Sequence, residues 1–175
     1  MMEKINQLEK SPNVLSIEYY DDHSSKLLDL GEAMHLLVEF DDETGIIKGK
    51  EEVEKLEELK EKMHYALVKR KLTQREDPWI PKENVPKFLH WLRKYGVPCF
   101  GYVKKGVFVP CFKENSKLPH EMHTIVKNMQ GKMGALYPIG IERKKYVSDF
   151  DRGRIKLLKN KYDNQKILNR GVLID

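Results

Sequence analysis

A chain of 175 residues with 34% charged side chains and a net charge of +5 is long enough to bury a core without disulfide or metal staples. No apolar run approaches the roughly 20 residues needed to cross a bilayer. The opening MMEKINQLEK lacks a signal peptide's apolar stretch and cleavage site, and two cysteines cannot build a disulfide scaffold. The expectation is a single domain over 1–175, in the cytoplasm and without a membrane partner.

VLSIEYY (14–20) and HLLVEF (35–40) are short β-rich runs that read as strands. After the turn DDETG, Val53, Leu56, Leu59, Met63 and Leu67 recur at helical spacing on an otherwise charged cylinder, which predicts an amphipathic helix. A solvated surface is the simpler reading of its Glu/Lys face. TQREDPWIPKEN, with two prolines and no periodicity, reads as the one linker. A second helix starts near Asn84, carries Pro86 in its first turn and stops at Gly96, with Val85, Phe88, Leu89, Leu92 and Tyr95 as its buried stripe.

VPCFGYVKKGVFVPCF then holds two strand-like runs around Lys104-Lys105-Gly106, a hairpin pattern. Met122, Ile125, Val126 and Met129 mark a third helix from about Pro119 to Gly131. ALYPIGI (135–141) reads as a short strand, and SDFDRGRIKLLKNKY as a last helix opened by a Ser148/Asp151 capping box. Without the first strand and the last helix, and with the two middle helices as one crossover layer, the order is β-α-β-β-α-β. That is a ferredoxin-like (split βαβ) α+β fold, an antiparallel sheet with helices on one face. The additions are an extra N-terminal strand and a C-terminal helix.

Candidate chemistry is sparse. His120 and His123 in HEMH share a helix face where metal ligands can converge, but no third ligand is offered and two solvated histidines are the simpler reading. Cys99 and Cys111 are equidistant from Lys105, so a tight hairpin places them opposite one another, in register for a disulfide or as two small apolar residues. Lys and Arg dominate the stretch from Arg143 to Arg170, which suits an anionic partner or a solvated face. It lacks the interleaved aromatic residues of a nucleic-acid surface. No phosphate-binding glycine loop, nucleophile elbow or triad is legible.

The tail LLKNKYDNQKILNRGVLID resembles the C-terminal signature of the FAD-linked oxidases, the glycolate oxidase and D-lactate dehydrogenase group. Tyr162-Asp163, Ile167-Leu168-Asn169 and Gly171 match its FDPxxILNPGK-like pattern, while Asn164, Arg170 and Val172 depart from it. MGALYPIGIERKKYV is similar to the family's GxxxGEHGIGxxRKxY segment through Gly140, Arg143, Lys144 and Tyr146. CFGYVKKGVFVPCF stands where the family has GHxGxGNxH, and PKENVPKFLHWLRKYGVP resembles the helix before that hairpin. The likeness covers roughly 34–175, the cap domain that closes over a flavin held by a separate N-terminal domain.

The resemblance implies a cap subunit of a split FAD-linked oxidoreductase acting on a 2-hydroxy acid, with FAD bound only alongside a flavin-domain partner. The alternative is a degenerate cap reused as an anion- or protein-binding module; a homo-oligomer is the other partner expected. Carried over by position, Arg143, Lys144 and Asn169 face the cofactor. Tyr102, Val109, Leu136 and Tyr137 take the substrate-pocket positions where some members hold a metal. Val and Leu cannot ligate one, so no metal is expected. Pro138 stands where the family has glycine. The tail's Ile167, Leu168, Val172 and Leu173 are expected to be buried on the sheet or a second subunit.

Overall fold

The computed structural model describes residues 2–41, 50–136 and 144–168. In chain order its elements are α1 (Met2–Glu9), β1 (Val14–Tyr20), α2 (Asp22–Leu27), β2 (His35–Phe40), α3 (Lys50–Lys69), β3 (Gln74–Arg75), α4 (Val85–Lys94), β4 (Cys99–Tyr102), β5 (Val107–Phe112), α5 (Leu118–Asn128) and α6 (Asp149–Tyr162). Short 3-10 turns occupy 82–84, 103–105 and 144–146.

The fold is α+β. A five-stranded sheet has the order β2-β1-β4-β5-β3, and every described pairing is antiparallel. β2 and β4 therefore point the same way with β1 reversed between them. β1, expected as an addition to the sheet, is an interior strand bonded on both sides. The strand expected at 135–141 lies outside the described residues except for 135 and 136, which form a bend.

The helices lie on both faces of the sheet, not on one. On the first face Ile17, Tyr19, Cys99, Phe108 and Phe112 pack with Ile5 of α1, Phe88 and Leu92 of α4, and Met122 and Val126 of α5. On the second, Tyr20, Val109 and Cys111 meet Leu28 beyond α2, Met63 and Leu67 of α3, and Leu72. The physical reason is visible in β5, where VFVPCF is buried at every position. A strand with one wet face alternates apolar and polar residues, whereas a continuous apolar run is buried on both sides. Close strand approach requires Gly101, because a Cβ there would sit 2.4 Å from the Val107 carbonyl oxygen.

α3, α4 and α5 form where the apolar spacing places them, and Ser148 caps α6 by accepting the Asp151 N–H at 3.1 Å. Tyr95, expected in the α4 stripe, is 43% exposed just past the helix end. The stretch read as a linker is instead an edge of the sheet. Trp79 exchanges backbone bonds of 2.7 and 3.0 Å with Lys132, the Ile80 N–H reaches Gly106 at 2.8 Å and Phe108 donates to Pro78 at 3.1 Å. Pro78, which has no N–H, is tolerated there because it pairs through its carbonyl alone. Buried Asp21 joins two elements: it accepts the Ser24 N–H at 2.7 Å, capping α2, and the Cys99 N–H of β4 at 3.1 Å. Burial pushes its carboxyl up despite both bonds.

Cys99 and Cys111 are free and buried. The hairpin pairs Cys99 with Pro110 and Phe100 with Val109, one residue away from the symmetric register about Lys105. A one-residue slip moves a side chain to the other face. Cys99 thus packs in the first core and Cys111 in the second. Burial raises both thiols, Cys111 to about 12, so neither supplies a thiolate at neutral pH.

Candidate functional site

Between α3 and the second face of the sheet lies a half-open cavity of about 200 Å³. Alternation along β1 sends Glu18 and Tyr20 to this face, and pairing sets Tyr102 opposite Glu18 and Phe100 opposite Tyr20. Lys60 and His64 of α3 close it from above, one helical turn apart, and Arg75 of β3 stands in its wall.

The polar groups are ordered around Glu18, which is almost buried. Lys60 Nζ meets Glu18 Oε1 at 2.7 Å, and the Tyr20 hydroxyl donates to Oε2 at 3.0 Å. The Tyr20 ring stacks on Phe100 with centroids 6.2 Å apart and planes at 16°. Burial first, then the Glu18 charge, raises the Tyr20 phenol, so it remains a hydrogen-bond donor at neutral pH. The hydrogen bond to Glu18 raises the Lys60 ammonium as well, against a smaller opposing effect of burial. Lys60, its ammonium paired with Glu18, and Arg75 set basic side chains in a wall otherwise lined by the rings of Tyr20, Phe100 and Tyr102. Such a site suits a small anion such as a carboxylate. It does not suit FAD: ligand pockets for drug-sized molecules run to about 300–1,000 Å³, and this one cannot enclose a dinucleotide.

Of the residues placed by resemblance, Tyr102 lines the cavity and Val109 lies on the same sheet face, deeper, in the second core. Leu136 is elsewhere: its N–H is held by Asp77 Oδ2 at 2.6 Å, past the β3 edge. Lys144 begins the 3-10 turn at 144–146, and its carbonyl accepts from Arg152 at 2.7 Å. That segment packs on α5, on the opposite side of the sheet, so Lys144 is not a wall of the cavity. Tyr137, Arg143 and Asn169 lie outside the described residues, as do Val172 and Leu173. Ile167 and Leu168, expected to be buried, are 58% and 63% exposed, with their N–H groups donated to the Asp163 carboxylate. Glu18, Tyr20, Lys60 and Arg75 were not singled out from sequence. The one available signal was Glu18 beside Tyr20 in a strand that also carries Ile17 and Tyr19.

The HEMH histidines differ from one another and from the solvated pair expected. His120 is exposed, with Nδ1 3.1 Å from the Tyr146 hydroxyl. His123 is buried, with Nε2 3.3 Å from Glu76 Oε2 and the Tyr146 ring edge-on at 3.8 Å between centroids. Among the described residues, no three His, Cys, Asp or Glu side chains are grouped to hold a metal, and no helix is long and apolar enough to cross a membrane. No family model matches this chain, and neither does any curated protein sequence.

Proposed function

We propose that this chain is the cap subunit of a split FAD-linked oxidoreductase acting on a 2-hydroxy acid, with the flavin held by a domain on another chain. The observation that carries the reading is Tyr102. The hairpin position that matches a substrate-contacting histidine of the resembled family opens into a small cavity whose lining includes Lys60 and Arg75, side chains of the kind that bind a carboxylate. A second position from the same hairpin, Val109, shares that sheet face. The ordered likeness from 34 to 175 and the α+β antiparallel sheet support the same reading. The cavity is too small for FAD, which supports a subunit that is not catalytic alone.

A degenerate cap serving as an anion- or protein-binding module is the second reading. It is favoured by Val109, which fills core where a polar contact is needed, and by Leu136, tethered to Asp77 away from the cavity. Purification of the tagged chain from its native cell, followed by a visible spectrum, separates the two. The oxidoreductase reading expects a co-purifying flavoprotein whose absorbance is bleached by a short 2-hydroxy acid, and slower bleaching with Tyr102→Ala. A colourless preparation without a flavoprotein partner would favour the binding module.

A further inference from the structure

We propose that two copies of this chain form a reciprocal dimer in which α6 of each lies along the outer face of α3 of the other. The inference does not depend on the flavin reading. α6 has no buried residue. Phe150, Leu157 and Tyr162 are each more than 70% exposed, and Leu158 is 55% exposed. At 100° per residue these four fall within one wide arc of the helix, together with Arg154 and Lys161. Arg154 lies over the Phe150 ring at 5.8 Å and Lys161 over Tyr162 at 5.1 Å, so this face is apolar and basic at once.

α3 carries the complement. Its inner side is Met63 and Leu67, and its outer arc presents Glu57, Glu58 and Glu61 followed by Tyr65 and Val68, all exposed. A carboxylate stripe running into an apolar pair meets an apolar stripe set with cations when the two helices lie antiparallel. Phe150 then falls on Tyr65 and Val68, and Arg154 and Lys161 come to the glutamates. Charge complementarity of this kind selects partner and register.

The contact joins copies and does not close one chain on itself. α6 follows the 144–146 turn, which is held to α5 through Tyr146, His120 and His123. α5 packs on one face of the sheet and α3 on the other. One helix pair buries too little for a stable interface, which needs about 1,200–2,000 Å² in total. Twofold symmetry supplies the same contact twice and closes the assembly.

Sedimentation equilibrium on the full chain, without flavin or any partner, tests this with two charge reversals at exposed positions. Arg154→Glu with Lys161→Glu spoils α6, and Glu58→Lys with Glu61→Lys spoils α3. The expected results are a dimer for the unaltered chain, at least tenfold weaker association for each doubly substituted chain, and recovery of the dimer when the two are mixed. Mixing restores both contacts, because the reversed α6 then meets the reversed α3 and the unaltered α6 meets the unaltered α3. Raising salt from about 0.1 M to about 1 M, which shortens the screening length from about 10 Å to about 3 Å, should weaken the unaltered dimer. A monomeric unaltered chain at millimolar concentration, or a dimer that survives both reversals, or two variants that stay monomeric on mixing, would each overturn the proposal.

Discussion

The sheet-centred body and the C-terminal arm draw on the same kinds of apolar residue and put them to opposite uses. In the body Phe88, Phe108, Phe112, Leu92 and Met122 are essentially inaccessible to water. In the arm Phe150, Leu157, Leu158, Tyr162, Ile167 and Leu168 are all more than half exposed. The body gains its stability by removing apolar area from water twice, once on each face of the sheet. The arm is held by local groups: the Ser148 cap, the Arg152 bonds to the Val147 and Lys144 carbonyls, and the Tyr146 contact with α5. Composition is thus a poor guide to burial. The arrangement of partners decides it: among the described residues, none of α6 is buried.

That contrast is broken most sharply in the hairpin. Gly101→Ala sets a methyl group 2.4 Å from a backbone oxygen that cannot swing away, so the variant is expected to remain unfolded or to lose the β4–β5 pairing by circular dichroism. Phe108→Ala is next: its ring meets both Tyr19 and Phe88, and chemical denaturation should show a loss of about 3–5 kcal/mol. A loss below about 1 kcal/mol would mean that the first core is not packed as described.

At the cavity the effects are smaller and depend on pH. Tyr20 and Lys60 both have folded-state values above their ordinary ones, the phenol because of burial and then Glu18, the ammonium because of Glu18. Each holds its proton more tightly in the folded state, so its stabilisation is complete below the unfolded value. It is lost as pH rises from there through the folded value. Denaturation midpoints should therefore hold up to about pH 9 and fall as pH rises past the ordinary tyrosine and lysine values of about 10 and 10.4, and Tyr20→Phe should flatten that decline. An equally steep decline in the variant would remove Tyr20 from the account. Lys60→Met should cost about 1–3 kcal/mol at neutral pH, because it leaves the nearly buried Glu18 carboxylate without its cation. Leu157→Ala in the arm marks the lower end: a change within about 0.5 kcal/mol in the monomer's stability.

Where one face or both faces of an element repeat apolar residues, the sequence was legible. α3, α4 and α5 follow from their 3.6-residue spacing, β5 from its unbroken apolar run, and α6 from the Ser148 box. The misreadings share another cause, dependence on contacts far along the chain. TQREDPWIPKEN has no period of its own and becomes an edge only because Lys132 and Gly106 supply partners to Trp79 and Ile80. The hairpin's one-residue register offset, which separates Cys99 from Cys111, is set by the turn at 103–106 and not by either strand's composition. His123 looked solvated beside His120 because its partner, Glu76, lies 47 residues earlier. The cavity was hidden for the same reason, since Glu18, Lys60, Arg75 and Tyr102 come from four separate elements.

The claim on which the functional account turns is that this chain supplies an acid-binding wall and not the flavin site. Titrating FAD into the purified chain, with flavin fluorescence and thermal melting followed together, tests it directly. The account predicts unquenched fluorescence and an unmoved melting temperature at micromolar FAD, since a cavity of about 200 Å³ cannot enclose the cofactor. Micromolar binding with a shifted flavin spectrum would contradict it.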